Sequence, residues 1–246
     1  MGWISRTETL TAMRAEDGWE AMGRAPLSTV ESALARAARR ARGDGVALPG
    51  VKALWQGNRR MAGYAVTAVV STDKGFPHGR KENLEWWRYV ESQPGPKVVV
   101  VRVLSKEPGT GAACGVLTAH VLQALGCGGF LTDGYVRDAD QAAEAGLLVA
   151  SRGVTLRHGT PHVVRFGEPV EVFGMRVAPG DVVTAGHEGA LAFPAAWMEE
   201  LPARIREVEG RVGPVLAYCR RSRRSAGEIA AAMERHMPQP SGGGKR

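Results

Sequence analysis

Apolar positions recur along this chain in two rhythms, one near 3.6 residues and one near 2, and their order predicts its elements. In PLSTVESALARAARRA, residues 26 to 41, the stripe Val30, Ala33, Leu34 and Ala37 predicts a helix capped by Ser28 or Thr29. Pro49 and Gly50 end that pattern, and MAGYAVTAVV at 61 to 70 predicts a strand in which Gly63 marks a close backbone approach. STDKGFPHGR reads as a loop, and ENLEWWRYVES as a short helix whose adjacent Trp86 and Trp87 point to different sides, one to the core and one to an interface. The unbroken run Val98 to Val101 suits a strand buried on both faces of a parallel sheet.

Glycines 109, 111 and 115 then precede a helix whose buried side is read as Leu117, Val121, Ala124 and Leu125, followed by the strand FLT. Strand, glycine-rich loop, helix, strand is a βαβ unit, which predicts a layered α/β core containing a parallel pair. ADQAAEAGLLVASRG continues as helix and strand. From Val154 to Ala192 the chain is a series of short strands and turns, including FGMRVAPGD, read as a strand pair reversed at Pro179 and Gly180 before Asp181. Pro194 is expected to open the helix AAWMEELPARIREVEG, SAGEIAAAMERH to form a last helix through Ile229, Ala232 and Met233, and SGGGKR to be disordered.

Composition narrows the class. With 246 residues, 44% of them hydrophobic, the chain can bury one main core, and its 32 glycines and 14 prolines suit many short elements. The formal charge of +7 gathers at Arg36, Arg39, Arg40 and Arg42 and again at Arg220, Arg221, Arg223 and Arg224. Neither run has interleaved aromatics, so nucleic acid is not expected as a partner, and a small anion is another outlet for the positive potential. Cys114, Cys127 and Cys219 form no paired or metal-binding spacing, and no apolar run approaches membrane length, so a soluble cytoplasmic protein without membrane association is expected.

Chemistry concentrates in GGFLTDGYVRD. Its strand delivers Arg137 and Asp138 to a loop at the end of the sheet, where an arginine clamps a carboxylate and an aspartate, with Asp140 two positions on, holds a divalent ion. The bland alternative is an aspartate capping the next helix beside a solvated arginine. The segment GTGAACGVL offers free backbone N–H groups to a small carboxylate, and it lacks both the phosphate-loop lysine and the dinucleotide GxGxxG spacing. His158 and His162 flank Gly159 and Pro161 rather than one helical face; His187 and Glu188 sit in a turn from which a substrate is within reach.

Taken in order over about residues 28 to 209, MAGYAVTAVV, the glycine-rich loop, GGFLTDGYVRD, FGMRVAPGDVV and HEGALAFP resemble the RraA-like family, which contains the 4-hydroxy-4-methyl-2-oxoglutarate aldolases and the regulators of ribonuclease E activity. The resemblance implies a compact α/β/β swivelling domain assembled as a trimer or a hexamer of stacked trimers. Residues 1–27 are then an N-terminal extension, 28–209 the α/β domain, 210–240 an accessory helical segment and 241–246 a tail. It implies further that Arg137 holds the carboxyl and enolate oxygens of pyruvate, that Asp138 ligates Mg2+ or Mn2+ with Asp140 nearby, and that the amides of Gly115, Val116, Leu117 and Thr118 cradle the substrate. The expected activity is a metal-dependent lyase that cleaves or decarboxylates a small 2-oxo acid through a pyruvate enolate. Aldolase members carry an acidic residue where Val116 stands and many relatives an aspartate where Gly186 stands, which leaves His187 and Glu188 as relocated acid/base candidates. The alternatives are a noncatalytic ligand-binding or ribonuclease-regulator-like protein, or a specialised-pathway enzyme on the same scaffold.

Overall fold

A computed structural model of the chain describes residues 17–37, 45–73, 80–220 and 225–237. It divides into two compact units, residues 41–197 and a helical unit of residues 1–40 with 198–246. In chain order the first elements are helices α1 (17–24) and α2 (Leu27–Ala37), strands β1 (Lys52–Ala53) and β2 (Met61–Ser71), helix α3 (Arg80–Ser92) and strand β3 (Lys97–Leu104). Next come α4 (Val116–Ala124), β4 (Cys127–Thr132), β5 (Tyr135–Val136), α5 (Ala139–Glu144), β6 (Leu148–Ser151) and β7 (Gly153–Val154). Strands β8 (His162–Phe166), β9 (Val170–Val172), β10 (Met175–Val177), β11 (Val182–Gly186) and β12 (Gly189–Phe193) precede α6 (Leu201–Cys219) and α7 (Ala226–His236).

The larger unit is built on a mixed sheet in the order β1, β6, β4, β3, β2, β11, β12, with β8 also on β2. Strands β2, β3, β4 and β6 are mutually parallel, as the βαβ reading requires. The outer edge of β2 is shared: Met61 to Tyr64 pair with β11 and Ala68 to Ser71 with β8, both antiparallel. Because side chains alternate along a strand, Val98 and Val100 face Val170, Val172, Met175 and Val177 of the β9–β10 hairpin, while Val99 and Val101 face Trp86, Val90, Ala119 and Leu122 of the helices. Helices, sheet and hairpin thus form the α/β/β layers expected from the sequence. Gly63 is where neighbouring backbone comes close, since a Cβ there would lie 2.8 Å from the Pro96 carbonyl oxygen.

Four local readings are corrected. Helix α4 buries Ala119 and Leu122, leaves Leu117 76% exposed, and of the face read from spacing packs only Leu125 partly against the core. Its residues are apolar on nearly every side, so periodicity does not select a face. Pro194 leads only into a 3-10 turn at Ala195–Met198; α6 starts at Leu201 with Pro202 in its first turn, where a missing N–H is harmless, and runs unbroken across residues 209 and 210. The hairpin reverses at Phe173 and Gly174, whose φ values of 50° and 71° suit a two-residue primed turn, and Pro179 and Gly180 instead carry the chain from β10 into the main sheet. Ser28 and Thr29 lie inside the first turn of α2, where the Pro26 carbonyl accepts from Thr29 N–H at 2.9 Å. The loop at 74–79, most of the arginine-rich runs and the SGGGKR tail lie outside the described residues.

In the helical unit, α2 and α7 both pack on α6, burying Val30, Leu34, Leu201 and Ile205, and Arg36 pairs with Glu207 at 3.3 Å. Ser225 caps α7 reciprocally with Glu228: the Ser225 hydroxyl accepts from Glu228 N–H at 3.3 Å and the Glu228 carboxylate accepts from Ser225 N–H at 2.9 Å. Ser225→Ala is expected to lower stability by about 1 kcal/mol, read as a lower denaturation midpoint with loss of α7 amide protection in hydrogen exchange.

Candidate functional site

Three loop segments meet beyond the carboxyl ends of the parallel strands and are stitched by backbone bonds. Ala113 N–H donates to the Tyr135 carbonyl at 2.8 Å and Arg137 N–H to the Cys114 carbonyl at 2.9 Å, so the glycine-rich loop runs beside the strand that delivers Arg137. On the other side, Thr155 N–H donates to Val136 at 2.9 Å and Ala112 N–H to His158 at 3.2 Å. The last contact depends on two glycines that touch: a Cβ on Gly159, whose φ is +63°, would lie 2.6 Å from the Gly111 Cα. A Cβ on Gly115 would lie 3.1 Å from the Arg137 side chain, so the bare backbone there leaves room for the guanidinium.

The result is a cleft of about 170 Å³ lined by Gly115, Val116, Leu117, Thr118, Arg137, Asp138 and His158. Asp138 occupies the N-cap position of α5 in a left-handed conformation, φ 55°, yet its side chain makes no cap bond to that helix. Its Oδ2 instead accepts from Arg137 Nε at 2.9 Å and from Val116 N–H at 3.3 Å, which ties the pair to the start of α4. The amides of Leu117 and Thr118, in the first turn of α4, have no intrahelical partner and complete an anion-favouring wall.

The Arg137 hydrogen bond, helped by the Val116 amide and by the charges of Arg137 and His158, holds the Asp138 carboxyl below its ordinary range against a smaller opposing desolvation. Burial, with the negative Asp138 adding to it, pushes the Cys114 thiol up to about 12, so this cysteine is no nucleophile near neutrality. A carboxyl depressed on folding contributes stability above the unfolded aspartate range, near pH 3.9, and loses it as pH falls through the folded value. The carboxyl-carbon NMR titration of Asp138 is therefore expected to have a midpoint below that of an unfolded aspartate and to move upward in Arg137→Ala.

Six of the residues singled out in the sequence share this cleft: Gly115, Val116, Leu117, Thr118, Arg137 and Asp138. Asp140, His187 and Glu188 are not in its lining. Asp140 borders a separate, more open cavity with Asp138, Trp55 and Gln56. His187 lies on the β11–β12 turn, its Nε2 3.0 Å from the Gly57 carbonyl oxygen and its ring 5.8 Å from that of Trp55, and neither it nor Glu188 lines the cleft. His158 is the residue that spacing missed. The signal for it was the glycine after it, which sets the crossing with Gly111.

Asp138 is the residue of this cleft that would hold a magnesium or manganese ion, with water and substrate oxygens completing its shell. Among the described residues no group of three or more His, Cys, Asp or Glu converges to hold a metal ion. Among the described residues that line the cleft Asp138 supplies the one carboxylate, its Oδ2 accepting from Arg137 and Val116, and Val116 adds no oxygen of its own side chain.

Residues 32–192 match the model of the RraA-like family, described as Aldolase/RraA. The chain belongs to the RraA-like family. The RraA-like fold is also seen in solved structures. An uncharacterized protein from Pseudomonas syringae pv. tomato is 20% identical with a TM-score of 0.68, over 88% of this chain and 92% of that one. Streptomyces coelicolor RraAS2, described as an unusual member of the RNase ES inhibitor RraA family, is 23% identical with a TM-score of 0.59, over 75% and 88%. The RNA-processing inhibitor RraA from Thermus thermophilis is 21% identical with a TM-score of 0.50, over 67% and 92%. At these identities the likeness speaks for the fold. Among the described residues of this RraA-like chain, no helix is long and apolar enough to cross a membrane.

Proposed function

We propose that this chain is a noncatalytic binding protein for a small carboxylate of the 2-oxo-acid class. The observation that carries the reading is the pairing of an intact anion cradle with a missing base: Arg137 and the first-turn amides of α4 border one cleft, and Val116 stands where the aldolase resemblance puts a carboxylate. An arginine beside free N–H groups binds a carboxylate in its ground state. Enolate formation needs in addition a proton acceptor and a charge-stabilising partner, and valine is neither. The Streptomyces and Thermus relatives, named as inhibitors, support a noncatalytic use of the scaffold. Assembly as a trimer or hexamer belongs to the same reading.

A metal-dependent lyase is the second reading, favoured by Arg137 standing 2.9 Å from Asp138. One experiment separates the two. Metal-free protein is titrated with pyruvate, then held in deuterated buffer with and without Mn2+ while the methyl proton signal is followed, with Arg137→Ala in parallel. Binding that depends on Arg137, with no metal-dependent loss of the methyl signal, is the expected result. Exchange that requires both Mn2+ and Arg137 would replace the binding reading with the lyase.

A further inference from the structure

We infer that the ligand of this cleft carries an apolar tail, aromatic or branched, received by the groove along α4; the inference rests on the carboxylate reading above. A second cavity of about 290 Å³ lies on the helical face of the sheet, walled by Trp86 and Trp87 of α3, Val121 and Leu122 of α4, Phe130 of β4 and Val163 of β8. It shares Leu117, Thr118 and Pro161 with the cleft that holds Arg137, so the two adjoin across these residues. Leu117 is the ridge between them.

The two halves differ in chemistry. The cleft supplies a guanidinium and helix amides, while the groove supplies aromatic and aliphatic walls and, among the described residues, no carboxylate and only Asn83, Thr118 and His162 as polar lining. Leu117 at 76% and Trp87 at 38% relative exposure leave apolar surface open to water beside an anion cradle. At about 30 Å³ of liquid volume per water, the groove has room for roughly ten waters, ample for a phenyl ring or a branched chain. A carboxylate with an apolar tail matches both halves at once, with the head on Arg137 and the tail releasing groove water. Val116 and Leu117, which offer nothing to an acid/base reaction, supply apolar surface where head and tail join.

Pyruvate, 4-methyl-2-oxopentanoate and phenylpyruvate are titrated into the full chain by calorimetry and tryptophan fluorescence, with sedimentation velocity at the same concentrations. Each buried methylene is worth roughly fourfold in affinity, so phenylpyruvate is expected to bind more than about tenfold tighter than pyruvate. Trp87→Ala and Val121→Ser, both at the open side of the groove, are expected to erase that gain and leave pyruvate affinity unchanged, whereas Arg137→Ala weakens both ligands. Equal affinity for pyruvate and phenylpyruvate, with pyruvate still dependent on Arg137, overturns the tail and leaves the cleft reading standing. Self-association that covers the groove and removes the difference overturns the tail in the same way. Tight phenylpyruvate binding that persists in Arg137→Ala would separate groove from cleft and also overturn the inference, while binding of none of the three acids would overturn the carboxylate reading itself.

Discussion

Alanine at position 159 is expected to lower the unfolding free energy by about 3 kcal/mol, from a left-handed conformation forced on a residue with a Cβ and from overpacking. Gly159 has φ +63°, and the added carbon would sit 2.6 Å from the Gly111 Cα and 3.2 Å from the Thr72 carbonyl oxygen. Both neighbours are backbone, so no side chain can turn away, and the two loops must part. Parting them breaks the bond from Ala112 N–H to the His158 carbonyl and withdraws His158 from the cleft, so ligand affinity falls along with stability. Urea titration checks the first effect, as a lower midpoint at unchanged slope. Gly111→Ala meets the same crossing from the other side, with Thr72 Cβ at 2.8 Å and Gly159 Cα at 2.9 Å. The double variant is therefore expected to lose less than the sum of the singles, because one separation of the loops relieves both. A loss below about 1 kcal/mol for Gly159→Ala would show that the crossing yields easily.

Arg137→Ala is expected to weaken pyruvate by roughly 10- to 100-fold, the range for losing charge-assisted hydrogen bonds of about 1.5–3 kcal/mol. The guanidinium has one nitrogen on Asp138, through Nε, and Arg137 lines the cleft. Lysine is expected to restore little of the affinity, since an ammonium is a point charge and cannot hold Asp138 and a carboxylate in one planar fork. Calorimetric titration of wild type, Arg137→Ala and Arg137→Lys measures this directly. Full recovery in the lysine variant would mean that charge alone, and not the fork, holds the ligand.

The parallel core was legible because its residues obey simple rules. Val98 to Val101 are apolar without interruption because the strand is covered by helices on one face and by a hairpin on the other, and Gly63 marked a true backbone approach. The arginine and aspartate after β5 and the glycine loop before α4 were legible as neighbours, because a βαβ unit brings the loops at the carboxyl ends of its parallel strands together. What stayed hidden depends on contacts between distant segments. The buried face of α4 could not be read from a helix apolar all round, and it is set by which side meets Phe130 and Val99. His158 comes to the cleft through the contact of Gly111 with Gly159, and the placing of Asp140, His187 and Glu188 outside its lining follows from loop paths that spacing does not encode.

The shared outer edge of β2 also bears on how the chain comes off the ribosome. Tyr64 waits for Val182 and Val70 for Val163, partners roughly 90 to 120 residues later in synthesis, so topology of this kind folds late. At 5–20 residues per second the edge of a strand containing Ala65, Val66, Ala68 and Val69 stays unpaired for on the order of ten seconds, open to other nascent chains. Occupancy of that edge by a chaperone during translation would protect the sheet until β8 and β11 arrive to close it.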